Sequence, residues 1–512
     1  MHYLVFTMLL SISECYKILV LLPYPGKSHQ MVFEPILHEL TKRGHQLTVV
    51  SFFPLSIPNV NRRDVNLVGL APLNVEIVDL KDYDYYPVFG QRVHNFFNQF
   101  SIIQNLTRNN IKLCETILNS DVFTEFVQAK GNYDVILVEH FNSDCMLGIV
   151  HNYGSPSIGL ISCTLMPWTP SWVGGDDNAA TFPSMLQPFT DEMTFMEKLE
   201  NSFDLFFHKF WHKYVSMNEQ ALVEKRLGRK LPPLEDIGRN ASVVLVNIYH
   251  SLNGVRVLPP SLIEVGGVHL HNRTVQSLPK DLEQWVSQSE HGVILFSFGS
   301  LIRSSTMPPK RLAAILKVFA RLPQRVVWKW ETENIQDLPE NVRIMRWLPQ
   351  YDLLHHSNCV AFMTHGGLLS LTETVAAGVP ALVVPVLGDQ PGNAEYARRA
   401  GVAEVLAFNK ISEKSLYGAL VKVLSPEMRI RAKAFRELWW DRLLPPMDTA
   451  IYYIEKTARY GNLNMSSHAR LLTHPHLVFF NVIPYVVITC VLLIAITCCF
   501  CSTKVTVKVK QN

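Results

Sequence analysis

The chain is 512 residues long, too long for one ordinary hydrophobic core, so two or three domains are expected. Its residues are 48% hydrophobic and 18% charged, on the apolar side of globular proteins. A net charge of only +3, with no Lys/Arg stripe interleaved with aromatics, gives no support to nucleic acid or a strongly acidic substrate as partner.

The opening MHYLVFTMLLSISECY joins a short n-region to an apolar run and small residues, the pattern of a secretory signal peptide over 1–15. Lys17 to Pro23 then reads as a first buried strand of a parallel sheet. A Pro/Gly turn carries His29, and a helix follows over about Gln30 to Arg43, stopped at Gly44. Gln46 to Phe52 is the second strand, which completes a βαβ unit with its ligand edge at the His29 turn. Further strands are expected at Val75–Leu80, Val135–Glu139, Ser157–Ser162 and Val243–Ile248. Phe89–Gln128 and Thr194–Arg226 between them have helical spacing. The second is rich in Phe, Trp, His and Lys and reads as core, as the wall of an apolar pocket, or as a helix lying in a membrane surface.

The composition changes at Leu258-Pro259-Pro260. Strand Ile263–Val268 and a polar link His269–Pro279 precede strand Gly292–Phe298, which ends at Gly299-Ser300. Helix Pro309–Arg321 and strands Arg325–Trp330 and Val342–Met345 lead to strand Cys359–Thr364, the turn His365-Gly366-Gly367, helix Leu368–Ala377 and strand Ala381–Pro385. A strand, a Gly-rich turn and a helix start make an anion site, because free N–H groups and the positive end of the helix dipole converge there. Helices at about Glu413–Leu424, Glu427–Leu443 and Met447–Tyr460 close the second half.

Leu477 to Phe500 is long and apolar enough to span a bilayer, and CSTKVTVKVKQN after it carries lysines and no acid. A type I orientation with a luminal body is expected. Lys508 and Lys510 read equally as a retrieval signal or as a basic stop-transfer flank. Nine cysteines do not make a disulfide scaffold at this length. Cys145 and Cys359, in apolar runs, read as core thiols, and those beside the span as acylation candidates. Sequons stand at Asn105, Asn240, Asn272 and Asn464, as a luminal glycoprotein would carry. No Cys/His spacing points to a metal, no GxGxxG follows a strand, and no GxSxG occurs. These absences argue against a metal centre, a nicotinamide or flavin enzyme, and an α/β-hydrolase.

The run from Arg343 to Ala400 closely resembles the signature of the UDP-glycosyltransferases. Its landmarks are Trp347-Leu348-Pro349-Gln350, Thr364-His365-Gly366-Gly367, Glu373 and Asp389-Gln390-Pro391. The resemblance implies a GT-B fold: two facing doubly wound domains plus a C-terminal transmembrane helix. It divides the chain into an acceptor-binding domain 16–260, a UDP-sugar-binding domain 261–445, a crossover helix and linker 446–476, the span 477–500 and a cytosolic tail 501–512. It implies Trp347 on uracil, Gln350 on the nucleoside, His365, Gly366 and Gly367 on the diphosphate, Glu373 on the ribose, and Asp389 and Gln390 on the sugar. Ser300, Lys329 and Ser370 join the donor set; Lys329 stands where relatives carry Arg, and offers a point charge in place of a fork.

His29, in Gly26-Lys27-Ser28-His29, matches the catalytic His of the family and suits a base for an alcohol nucleophile. A carboxylate partner is expected, with Glu139 favoured by register and Asp144 by side-chain length; both stay open. The implied reaction is an inverting displacement from a UDP-sugar to a hydroxyl of a small lipophilic acceptor, without a metal or a tightly bound cofactor. His140-Phe141-Asn142-Ser143-Asp144-Cys145 looks like the invertebrate branch, which favours UDP-glucose over UDP-glucuronate. The resemblance further implies detoxification in the endoplasmic reticulum membrane. A non-catalytic carrier of hydrophobic ligands, a membrane-lipid glycosyltransferase and self-association are left open.

Overall fold

The computed structural model describes residues 14–55, 58–83, 104, 107–463, 465 and 490–491. Most of the expected leader 1–15 and span 477–500, the tail 501–512, and sequons Asn105 and Asn464 lie outside the described residues. Among the described residues no helix is long and apolar enough to cross a membrane.

Strands β1 (Lys17–Leu22), β2 (Gln46–Ser51), β3 (Arg62–Asn66), β5 (Val135–Glu139), β6 (Ser157–Ile161), β7 (Val243–Val246) and β8 (Leu262–Glu264) form one sheet. The order is β3-β2-β1-β5-β6-β7-β8, and every pairing is parallel. A second parallel sheet runs β12-β11-β9-β13-β14-β15. Its strands are β9 (Val293–Ser297), β11 (Arg325–Lys329), β12 (Val342–Met345), β13 (Cys359–Thr364), β14 (Ala381–Val383) and β15 (Ala403–Val405). Parallel strands are covered on both faces, which is why β9 and, after the exposed Lys17, β1 read as apolar runs and are buried. β3 escapes that pattern. In RRDVN only Arg62 and Val65 are buried, and the charges suit a strand at a sheet edge.

The two halves meet directly. β4 (Val78–Asp79) pairs with β10 (Ile302–Arg303), and Arg303 Nε donates to Asp79 Oδ1 at 2.7 Å. Helix Pro446–Tyr460 returns to the first sheet and buries Met447, Ala450, Ile451 and Ile454 against Ile18, Val20 and Leu37. Glu455 on that helix meets His45 Nε2 at 3.2 Å and Arg43 Nη1 at 3.4 Å.

Two expectations are corrected. Cys145 is not a core thiol: it is joined to Cys114 across a sequence separation of 31. Cys359 is free and buried. The long helix Phe195–Leu227, opened by a capping box at Thr194 and Glu197, does not bury its aromatic side. Its buried stripe mixes Asn201, Asp204, His208, His212 and Glu219 with Leu205, Val215 and Val223, whereas Phe203, Phe206 and Phe210 are exposed.

The disulfide ties the helix over 107–118 to the loop after β5. Closing a loop of this size contributes about 2–4 kcal/mol. The double variant Cys114→Ser/Cys145→Ser is therefore expected to be less stable than the parent by that margin, read as a lower melting temperature. The parent itself should show the same loss when reductant is added.

Candidate active site

The first half of the site sits at the C-terminal edge of the first sheet. Gly26 opens helix Lys27–Lys42, so His29 lies in its first turn beside the end of β1. Glu139 is the last residue of β5, the strand next to β1, and Ser162 follows β6. Neighbouring parallel strands thus bring three side chains together. His29 Nδ1 is 2.6 Å from Glu139 Oε1 and 2.7 Å from Ser162 Oγ, and the Ser162 hydroxyl donates to Glu139 at 3.3 Å. A carboxylate only accepts, so Nδ1 carries the hydrogen and Nε2 is left with a lone pair. Tyr24 and Phe141 flank the imidazole, with ring centroids at 4.5 and 4.3 Å. His29 is 16% exposed. A pocket beside it is lined by Tyr24, Asn110, Leu113, Ile117, Glu139 and Phe141.

Of the two carboxylates left open by the sequence, Glu139 meets His29. Asp144 does not: it is buried, with Oδ1 3.3 Å from His212 Nε2. Burial raises its pKa, but His212, with help from Ser216 and His140, outweighs this, so the group is held below the usual carboxylate range. Glu219 accepts from the Asp144 N–H at 2.6 Å and the Ser143 hydroxyl at 2.6 Å. Burial, and then the Asp144 charge, push Glu219 up to about 8. This cluster braces the loop behind the pocket.

The second half of the site is the turn after β13. Gly366 has φ +87°, and helix Leu368–Ala377 begins just beyond Gly367. His365 packs so closely on Gly299 and Gly367 that a Cβ on either would approach its ring to 2.7 and 2.5 Å. Burial, with a smaller push from Lys329, lowers His365 to about 4, so its imidazole is neutral near pH 7. Gln350 Nε2 donates to Glu373 at 2.7 Å and to Ser370 at 3.3 Å. Gln390 Oε1 accepts from Val386 and Leu387 N–H at 2.9 and 3.0 Å, which shapes the loop leading to Asp389. Asn393 donates to Asp389 at 2.9 Å and to the Gly366 carbonyl at 3.2 Å, which binds that loop to the turn.

The halves face each other. Burial raises the pKa of Asp389, and the opposing influence includes His29 from the first half. Trp347 is 56% exposed, and Lys27 Nζ lies 4.4 Å from its ring centroid. Lys27 is two residues from His29, so the indole stands over the same opening. Ser300 accepts from Glu76 N–H through its carbonyl at 2.8 Å. Lys329 is buried, 3.0 Å from Glu331 and 3.7 Å from Glu76, which commits its charge to two carboxylates.

Sequence reasoning missed Ser162, Arg273, Lys27 and Asn393. Ser162 was legible as the end of a strand adjoining β5. Arg273, in the polar link, donates to Glu373 Oε1 at 2.7 Å and lies 4.1 Å over the Tyr351 ring; nothing in its surroundings in sequence marks it. Among the described residues no group of three or more His, Cys, Asp or Glu side chains is placed to hold a metal ion.

The family model for UDP-glucoronosyl and UDP-glucosyl transferase matches residues 17–512. UDP-glycosyltransferase UGT5 of Dactylopius coccus is 30% identical over 90% of this chain and 86% of its own length. UDP-glucosyltransferase 2 of the same insect is 31% identical over 97% and 93%. Human UDP-glucuronosyltransferase 2B7 is 27% identical over 98% and 96%. Among solved structures, the glycotransferase of kitacinnamycin superposes with a TM-score of 0.57 at 19% identity, covering 86% of this chain and 99% of its own. CalG4, the calicheamicin glycosyltransferase, gives 0.56 at 17%, covering 88% and 100%. The fold is therefore GT-B, and the chain belongs to the UDP-glycosyltransferase family.

Proposed function

We propose that this enzyme transfers glucose from UDP-glucose to a hydroxyl of a small lipophilic acceptor by a single inverting displacement. The observation that carries the reading is the His29–Glu139–Ser162 cluster on the first half, with Trp347 of the second half brought against Lys27 two residues from His29. Nε2 of His29 takes the acceptor proton as the oxygen bonds to the anomeric carbon. The bond from that carbon to the diphosphate oxygen breaks on the opposite face, and UDP leaves with its electrons. Glu139 stabilises the imidazolium that forms. The growing charge on the diphosphate is met by the backbone N–H groups of Gly366 and Gly367, by neutral His365 and by Ser300. Trp347 covers the uracil, Gln350 and Ser370 hold the nucleoside, Glu373 takes the ribose hydroxyls, and Asp389 and Gln390 take those of the sugar. A catalytic base kept in such an arrangement favours an enzyme over a mere carrier.

Glucose is preferred over glucuronate on charge. A sugar carboxylate would lie beside Asp389, itself an acid, and Lys329 is engaged by Glu331 and Glu76. The 31% identical insect relative is a UDP-glucosyltransferase by name. The Cys114–Cys145 disulfide suits an oxidising compartment and supports a luminal body in the endoplasmic reticulum.

The test is UDP release and product analysis on membranes carrying the chain, with both donors against a panel of phenols. UDP-glucose is expected to turn over at least tenfold faster, with the anomeric centre inverted. Faster turnover of UDP-glucuronate would overturn the sugar assignment.

A further inference from the structure

The long helix Phe195–Leu227 is built inside out. Phe203, Phe206, Phe210, Tyr214 and Met217 recur at helical spacing and share one face. Phe203 is 63% exposed, Phe206 72% and Phe210 62%. The inward face is rich in polar groups, set among Leu205, Val215 and Val223, and several of them are tied to the elements beneath. Asn201 Nδ2 donates to the Ala179 and Phe182 carbonyls at 2.7 and 2.8 Å, and Gln187 donates to Asp204 at 2.9 Å. Those bonds fix the rotation of the helix, so the aromatic face cannot roll into the core.

Isolated exposed apolar residues need no explanation, but a continuous aromatic stripe on a fixed helix marks a contact surface. Phe195, Met196 and Leu199 extend the same apolar surface toward the helix start. We propose that this helix rests on the surface of a phospholipid bilayer, with Phe203, Phe206 and Phe210 among the acyl chains. Large apolar rings with lysines beside them, here Lys198 and Lys213, suit the boundary between headgroups and hydrocarbon.

The course of the chain favours a bilayer over other occupants. Leu463 and Met465 pack against the first half, and Asn462 donates to the Asn240 carbonyl at 3.2 Å. Asn240 ends helix Leu234–Arg239, which packs on the long helix. From there residues 466–476 lead to the apolar run 477–500. Even fully extended at about 3.3–3.6 Å per residue, that linker spans only about 35–40 Å. A bilayer that receives the run therefore lies within reach of this half of the molecule. The long helix also backs the pocket beside His29: Trp211 Nε1 donates to Thr107 at 2.7 Å, on the helix whose Asn110, Leu113 and Ile117 line that pocket.

The test uses the full chain, one copy per phosphatidylcholine nanodisc, with a diazirine on the lipid acyl chains. After irradiation, lipid adducts are mapped by mass spectrometry. Adducts are expected on the peptides carrying Phe203, Phe206 and Phe210 as well as on 477–500. In the variant Phe203→Ser/Phe206→Ser/Phe210→Ser, adducts on the helix should fall at least tenfold, while those on 477–500 and the melting temperature stay unchanged. Should the triple variant unfold, Phe206→Ser alone is expected to lose the adduct at its own position. Absence of lipid adducts on the helix of the parent overturns the proposal. So does covalent capture of this face by a second copy or by residues 84–103, tested with a diazirine amino acid placed at Phe206.

Discussion

His29→Ala is expected to lower kcat by about 10²–10⁴-fold, the usual range for loss of a positioned base, with the affinity for UDP unchanged. The imidazole is held by Glu139 at 2.6 Å and Ser162 at 2.7 Å on the first half of the cleft, whereas the turn that would grip the nucleotide lies on the second. The loss should depend on the acceptor. An aliphatic alcohol keeps its proton tightly and needs the base fully; an acidic phenol is partly ionised and needs it less. The ratio of rates for parent and variant is therefore expected to shrink as the acceptor pKa falls. Glu139→Gln keeps the shape but removes the charge that stabilises the imidazolium, and its kcat should lie between the two. Initial rates with a graded phenol series, and calorimetry with UDP, check both statements. Loss of UDP binding in His29→Ala would mean that the residue supports the structure of the cleft and not the proton transfer.

Where a physical rule acts on neighbours in sequence, the chain could be read directly. Strand β13 and helix Leu368–Ala377 were bounded by an apolar run, a Gly-Gly turn and a Gly-Val-Pro stop, and the structure places both as expected. β5 was likewise legible, because a buried parallel strand is apolar on both faces. The edge strand β3 was not, since its charged residues carry no period. The long helix was found, but its orientation was not. Periodicity gives the face on which aromatics lie, and only the partners of Asn201 and Asp204 show that the opposite face points inward. The choice between Glu139 and Asp144 turned on register. Glu139 closes the strand adjoining β1, while Asp144 lies beyond the loop and finds His212 on the long helix. The pairing of Arg273 with Glu373 joins residues 100 apart and has no local trace.

Gly366→Ala is expected to give the opposite result to His29→Ala: donor binding fails because the turn itself is deformed. Gly366 has φ +87°, where an L-residue is strained by about 1–2 kcal/mol. A Cβ there would lie 2.6 Å from Val383 Cγ1 and 3.4 Å from the Gln390 carbonyl. Val383 cannot give way easily, since it is fully buried on β14 and paired with Thr364. Overpacking of this kind costs about 1–3 kcal/mol. Whatever movement relieves it passes into Gln390, which shapes the loop carrying Asp389. The affinity for UDP should therefore fall by more than tenfold and the melting temperature should drop. Gly388→Ala separates the two causes. That glycine also has positive φ, at +63°, yet a Cβ there meets nothing within 4 Å. It should lose stability through backbone strain alone and keep most of its UDP affinity. Equal loss of UDP binding in both variants would show that backbone strain alone accounts for the effect, and that the space kept open at the turn has no part in holding the nucleotide.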